Sequence, residues 1–336
     1  MSASEISSFT TAQARVGATI SQDDSGGDAV KRLMRWNADG MIDADIYGLF
    51  LSHPRWAEAI RTFAINLLDA ASRDSALDGI FKDAGRYVAA MWAIQLHLTG
   101  GLTVPKLKTI CTASGLLSPG RARALLSYLR YLDYVAALPA QRPGETARYV
   151  PTPTLLAAWR SHLSSALKAV CIIEPAANLI VHRLNDPVIL ASFSRIHGEE
   201  LLASARSPDQ PQNFYKVFMH RHAGTQILWT LLAVEDAEFP PSTPIPLSIA
   251  GTARRFNVSR IHVRRLLDEA EREGFLRRMD DGAVVISETT RPIIRFLYAT
   301  QMIKLLTAAA KTIIEHPDIV PSAAPEPGFI SSSARA

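Results

Sequence analysis

Between about residue 43 and residue 316, apolar residues recur every three to four positions, the spacing of helices that bury one face. Two short regions depart from this. FLRRM and AVVIS flank Asp280-Asp281-Gly282, and YVAALP and ARYVP flank the tip AQRPGE; each reads as strand, turn, strand. Residues 1–42 are rich in Ser, Thr, Asp and Gly and predict a disordered segment. The tail, residues 317–336, predicts the same.

The pattern repeats. SHPRWAEAIRTFAINLLDAASRD, from Ser52, resembles NDPVILASFSRIHGEELLASARS, from Asn185; Pro54 aligns with Pro187 and Leu67-Leu68 with Leu201-Leu202. A tryptophan-bearing helix follows in each copy, around Trp92 and Trp229. SPGRARALLSYLRYLDYV, from Ser118, then aligns without gaps on SRIHVRRLLDEAEREGFL, from Ser259, at an offset of 141 residues. Arg123 pairs with Arg264, Leu125-Leu126 with Leu266-Leu267, and Tyr134-Val135 with Phe275-Leu276. Three blocks in one order predict a duplication, with one module over residues 43–175 and a second over 180–316.

Each copy carries start and stop signals for two helices joined by a turn. In the second, Ser248 caps IAGTARRF, Asn257-Val258 makes the turn because Asn tolerates positive φ, and Ser259 caps RIHVRRLLDEAEREGF. Val263, Leu266, Leu267 and Ala270 form its buried stripe, Gly274 ends it, and the hairpin follows. In the first copy Thr103 caps VPKLKTICTAS and Ser118 caps PGRARALLSYLRYLDY, with Ala122, Leu125, Leu126 and Leu129 as the stripe. Gly115 and Leu116 replace the usual turn residues there.

These residues resemble the winged helix-turn-helix transcription regulators, and the MarR type in particular, through the spacing IAxxxxVSxxxVxRLLxxxExxGFL. The match covers about 45 residues in each copy, plus a flanking helix. Typical members carry one reading head, whereas this chain has two. The resemblance implies a mainly α fold of two tandem winged modules, pseudo-twofold related, and double-stranded DNA as partner. It also implies an intrachain pseudo-dimer and a small-molecule effector pocket between the tryptophan helices and the wings. The helices after the wings (TLLAAWRSHLSSALKAV and IIRFLYATQMIKLLTAAAKTII) offer a face for a homodimer.

The chemistry agrees with that partner. The net charge is +4 and the pI about 9.1, a mildly basic balance. Positions one, two, three and five after each cap face outward: Arg260, Ile261, His262 and Arg264 in one head, Pro119, Gly120, Arg121 and Arg123 in the other. Arginine can donate two bonds to guanine O6 and N7. Arg121, Arg123, Arg260, His262 and Arg264 are therefore the candidate base readers. Lys106, Lys108, Arg142, Arg148, Arg254, Arg255, Arg265, Arg277 and Arg278 are candidate phosphate contacts, beside the cap Ser259. Arg264 and Arg265 also have Asp268 and Glu269 within pairing distance along the helix.

Other classes find little support. No GxGxxG or GxxxxGK[ST] is present, Ser165-Ala-Leu-Lys168 lacks companion motifs, and no cofactor or metal is called for. His220-Arg-His222 reads as a surface turn, since histidines two apart do not share a helix face. Cys111 and Cys171 lie in no CxxC pair, which fits small buried side chains in a reducing, cytoplasmic compartment. No secretory signal or membrane span is read from the hydropathy; the best stretch, Ala166 to Val181, is interrupted by Lys168, Glu174 and Pro175. Two further classes stay open: tandem winged helices of the replication-initiator type, and winged helices used as protein-interaction modules.

Overall fold

The computed structural model describes residues 26–37, 42, 44–73, 78–80, 82–113, 117–139, 142–205 and 211–320. The chain is mainly helical, with two small antiparallel sheets. In the first half α1 (Gly26–Met34), α2 (Ala44–Ser52), α3 (Trp56–Arg73) and α4 (Ala84–Leu98) lead to β1 (Leu102–Thr103). Then come α5 (Val104–Ala113), α6 (Pro119–Tyr131), β2 (Val135–Ala137), β3 (Arg148–Pro151) and α7 (Pro153–Val170). A 3-10 turn, Pro175–Ala177, runs directly into α8 (Asn178–Arg183). The second half holds α9 (Pro187–Ala205), α10 (Gln212–Phe214), α11 (Gly224–Leu232), α12 (Ile249–Arg255), α13 (Arg260–Arg272), β4 (Leu276–Arg278), β5 (Val284–Ile286) and α14 (Arg291–Glu315).

The long helices pack reciprocally. Within the halves α3 lies on α7 and α9 on α14; across them α4 lies on α9 and α11 on α3. Each tryptophan helix is thus seated on the first long helix of the other half. Trp92 and Trp229 are both buried in this interior. At the α4–α9 crossing Gly198 lets the helices approach: a Cβ there would lie 3.4 Å from the Gln95 side chain. Polar ties reinforce the seams. Asn66 donates to the Ser165 carbonyl at 3.0 Å, and the Trp159 indole donates to Ser194 Oγ at 3.1 Å.

One hydrophobic core runs through both halves. The expected boundary between 175 and 180 falls in packed chain, with Ala176, Ala177 and Ile180 buried. The helices after the wings also face inward: α7 and α14 touch each other, and Ala299, Met302, Ile303, Leu306 and Ala309 are buried. Their apolar residues are largely consumed within the chain. Among the described residues α14 is the one helix long and apolar enough to cross a membrane, and 72% of that stretch is buried inside the fold.

Residues 26–37 correct the expectation of disorder up to residue 42. Val30, Leu33 and Met34 share one helix face, and Leu33 and Trp36 are buried against the core. Thr307 donates to the Trp36 carbonyl at 2.6 Å, and Phe50 meets the Trp36 ring edge-on at 6.2 Å. Composition misled here because a short amphipathic helix sits among polar neighbours. At the other end a 3-10 turn, Pro317–Ile319, buries Ile319. The remainder of the expected disordered segments, residues 1–25, 38–41 and 321–336, lies outside the described residues. Cys111 is buried and Cys171 half-buried, and burial pushes both thiols up to about 12.

Two imidazoles are sealed between the halves. His162, bonded to the Tyr87 hydroxyl at 3.0 Å, and His197, stacked on Phe193, are each pushed down to about 3 by burial. The unfolded chain takes up these protons below its ordinary value of 6.5, while the folded chain refuses them until about pH 3. Stability is therefore full above pH 6.5 and falls as the pH drops toward 3, by up to about 1.4 kcal/mol per pH unit for each proton. Urea unfolding between pH 7 and pH 4 should show this decline, and His162→Gln with His197→Gln should flatten it. Parallel slopes would assign the decline to other groups.

Candidate nucleic-acid interface

Each half carries two short helices followed by a hairpin, and the local signals explain why. In the second half Ser248 Oγ accepts from the Gly251 N–H at 3.0 Å and starts α12. Phe256 is buried at the helix end, and Asn257 turns the chain at φ 49°. Ser259 Oγ accepts from the His262 N–H at 3.0 Å and starts α13. Val263, Leu266, Leu267 and Ala270 are buried as their spacing predicts. Gly274, at φ 74°, ends the helix in the left-handed region that glycine adopts without strain. β4 and β5 then pair through Leu276 and Ile286, and Ile245 adds a bridge to Val284.

The first half repeats this geometry, at the 141-residue offset from Ser118 to Val135. Thr103 Oγ1 accepts from the Lys106 N–H and Ser118 Oγ from the Arg121 N–H, both at 3.3 Å. Ala122, Leu125, Leu126 and Leu129 are buried. Asp133 stands where Gly274 stands, at φ 56°, a conformation that Asp tolerates. The Tyr134 N–H donates to the Leu129 carbonyl at 2.8 Å, as the Phe275 N–H does to Ala270 at 2.8 Å. Val135 pairs with Pro151 as Leu276 pairs with Ile286, and the sheet order is β1-β3-β2. The turn residues Gly115 and Leu116 lie outside the described residues.

The candidate contact residues divide into two groups. Arg254, Arg260, Arg264, Arg265 and Arg277 are exposed. The carboxylates that could have neutralised them are engaged elsewhere. Asp268 pairs with Arg278 at 2.7 Å, Glu271 with Arg278 at 2.7 Å, and Glu269 with Arg221 and with Arg272. The expected pairing of Arg264 and Arg265 with Asp268 and Glu269 is therefore replaced by these partners. In the first head Arg123, Lys106, Arg142 and Arg148 are exposed and Lys108 half-buried; Lys106 donates to the Gly100 carbonyl at 2.7 Å. Arg255 is exposed and lies over the Phe256 ring at 5.4 Å.

Three of the candidate DNA contacts are bonded to other residues of the protein. Arg278 is a strut between α13 and the hairpin, its backbone N–H and guanidinium both bonded to Glu271. These bonds hold the Glu271 carboxyl below its usual range. Arg121 bonds to Asp83 at 3.0 Å, and Asp83 is the buried N-cap of α4. His262, its counterpart at the 141-residue offset, bonds through Nε2 to the His222 carbonyl at 2.6 Å, just before α11. The third residue of α6 and of α13 is thus bonded at the start of the tryptophan helix of its own half.

The segments holding Asp83 and His222 meet in a joint between the halves. The Ala223 N–H donates to the Lys82 carbonyl at 2.5 Å. The Lys82 ammonium, buried, contacts Asp78 at 2.7 Å and donates to the Phe256 carbonyl at 2.7 Å, at the end of α12. His220 and His222, expected as a surface turn, are half-buried here. Burial first, then Arg121 for His220 and Arg86 for His222, lowers both imidazoles. The sequence marks out neither Lys82 nor Asp83 for this joint; the one local signal is Asp83 three residues before Arg86, an N-cap spacing.

The two matched caps give a direct test. Ser118→Ala and Ser259→Ala should each cost about 1 kcal/mol, read as a lowered urea midpoint. A change within error for both would remove the caps from the account of these helices. Comparison with known proteins finds no matching family model, curated protein or solved structure.

Proposed function

We propose that the chain is a sequence-specific, DNA-binding transcription regulator. Its two helix-turn-helix and hairpin units serve as winged reading heads, joined as a pseudo-dimer within one chain. The observation that carries this reading is the set of exposed arginines on the second head, Arg254, Arg260, Arg264, Arg265 and Arg277, whose neighbouring carboxylates are paired with other residues. A basic surface on and around a capped helix is what a major groove and its phosphates require. Arginines at the first turns meet base edges, while those on α12 and the hairpin meet backbone.

The matched geometry of the halves and the reciprocal seating of α4 and α11 support a pseudo-twofold pair of heads. The exposed residues of the two reading helices differ, so the preferred site is asymmetric. With α7 and α14 turned inward, the pairing that MarR-type proteins achieve between chains is supplied here between halves. An effector site and a homodimer remain proposals of the resemblance alone.

Binding to a pool of random duplexes across salt tests the reading. Wild type should enrich an asymmetric site, with affinity falling roughly 1,000-fold or more between 50 and 200 mM salt if about six phosphates are contacted. Arg123→Ala with Arg264→Ala should lose the enrichment, since a bidentate arginine contributes about 1–3 kcal/mol of discrimination. Weak binding without enrichment, unchanged in the variant, would move these units to the protein-interaction class.

A further inference from the structure

The two reading helices are superposable in register, so each outward position can be compared with its counterpart. At position three Arg121 and His262 are both bonded within the protein, to Asp83 and to the His222 carbonyl. At position five Arg123 and Arg264 are both exposed. The heads differ at positions one, two and six, where Pro119, Gly120 and Ala124 face Arg260, Ile261 and Arg265. Gly120 has no neighbour within 4 Å of where a Cβ would stand and no positive φ, so neither space nor backbone calls for glycine there. The first helix simply offers no side chain at that position, whereas the second offers a branched apolar one.

Ile261 is 60% exposed, and the fold has no use for it. It lies outside the buried stripe of Val263, Leu266, Leu267 and Ala270. A β-branched residue also loses χ1 freedom in a helix, so helix formation does not explain it. Its neighbours on the helix surface are Arg264 and Arg265, three and four residues on, with Arg260 beside it. An apolar side chain among guanidinium groups matches one feature of the major groove. Guanine presents two acceptors to arginine, and thymine presents its C5 methyl to an apolar contact.

We infer that Ile261 reads the C5 methyl of a thymine next to the guanine contacted by the second head. The first head, with Pro119-Gly120 in the same place, reads no such methyl, and its base reading is left to Arg123 while its lysines meet backbone. This rests on the DNA-reading function proposed above. It assigns most of the sequence preference to one half of the site.

The test replaces single thymines by uracil, which removes only the methyl group, in the duplex selected by the wild-type protein. One thymine, in the half bound by α13, should lose about fourfold in affinity on conversion to uracil, the effect of withdrawing one methyl from a buried contact. Ile261→Ala should bind the thymine and uracil duplexes equally and keep the wild-type thermal midpoint, because the side chain is not part of the core. Ile261→Val should keep part of the preference. If wild type enriches a site but no uracil substitution matters, or if Ile261→Ala keeps the preference, the assignment of Ile261 falls while DNA reading stands. If wild type binds no duplex at low salt, both fall together.

Discussion

Lys82 carries an ammonium group almost out of water, at a point where three parts of the chain meet. Such a charge is tolerated only when its hydrogen bonds are made, and here they run to the Asp78 carboxylate and the Phe256 carbonyl. The same residue accepts the Ala223 N–H through its own carbonyl. The loop before one tryptophan helix is thereby locked to the loop before the other and to the end of α12. Hydrophobic burial seats α4 on α9 and α11 on α3, but apolar packing is non-directional and leaves register loosely specified. Directed bonds from a buried cation fix it.

The joint also explains why position three of each reading helix is not free. Arg121 reaches Asp83, one residue from Lys82, and His262 reaches the carbonyl of His222, one residue from Ala223. The helices α6 and α13 are each held at the first turn against the joint between the two halves. A side chain committed in this way orients the helix, and the neighbouring positions are left to meet a partner. The net charge of +4 conceals this division of labour. Acidic residues at the far end of α13 are spent on Arg221, Arg272 and Arg278, and the arginines of its first turns stay uncompensated.

Much of the local framework was legible in the sequence. Ser118, Ser259, Thr103 and Ser248 cap as read, Asn257 takes positive φ, and Gly274 ends its helix, because capping and turn chemistry act within a few residues. Helix and strand positions followed from spacing for the same reason. The short helix over Gly26–Met34 was hidden by its polar surroundings; the adjoining Trp36 anchors it, through its ring to Phe50 and through its carbonyl to Thr307 far along the chain. The roles of Arg121, His262 and Arg278 were equally illegible. An outward-facing arginine and one bonded to a buried aspartate 38 residues away have the same sequence pattern, and only tertiary placement separates them.

A joint of this kind has a consequence for how two heads would meet one duplex. Heads on a flexible tether raise each other's effective concentration but accept many spacings between half-sites. Heads attached to tryptophan helices that sit on each other's long helices, and bonded through Lys82 and Ala223, would present their helices at one separation and one relative angle. Specificity then includes spacing, since a duplex with its half-sites displaced must bend or twist to be met by both heads. Under the proposed reading, that constraint would give a weakly reading first head a function. Gripping only phosphates, it would still fix which groove face the second head enters, so that backbone contacts on one side would sharpen base reading on the other. Loss of the Lys82 joint would turn a rigid pair into two tethered units, and the spacing requirement would relax before the base preference does.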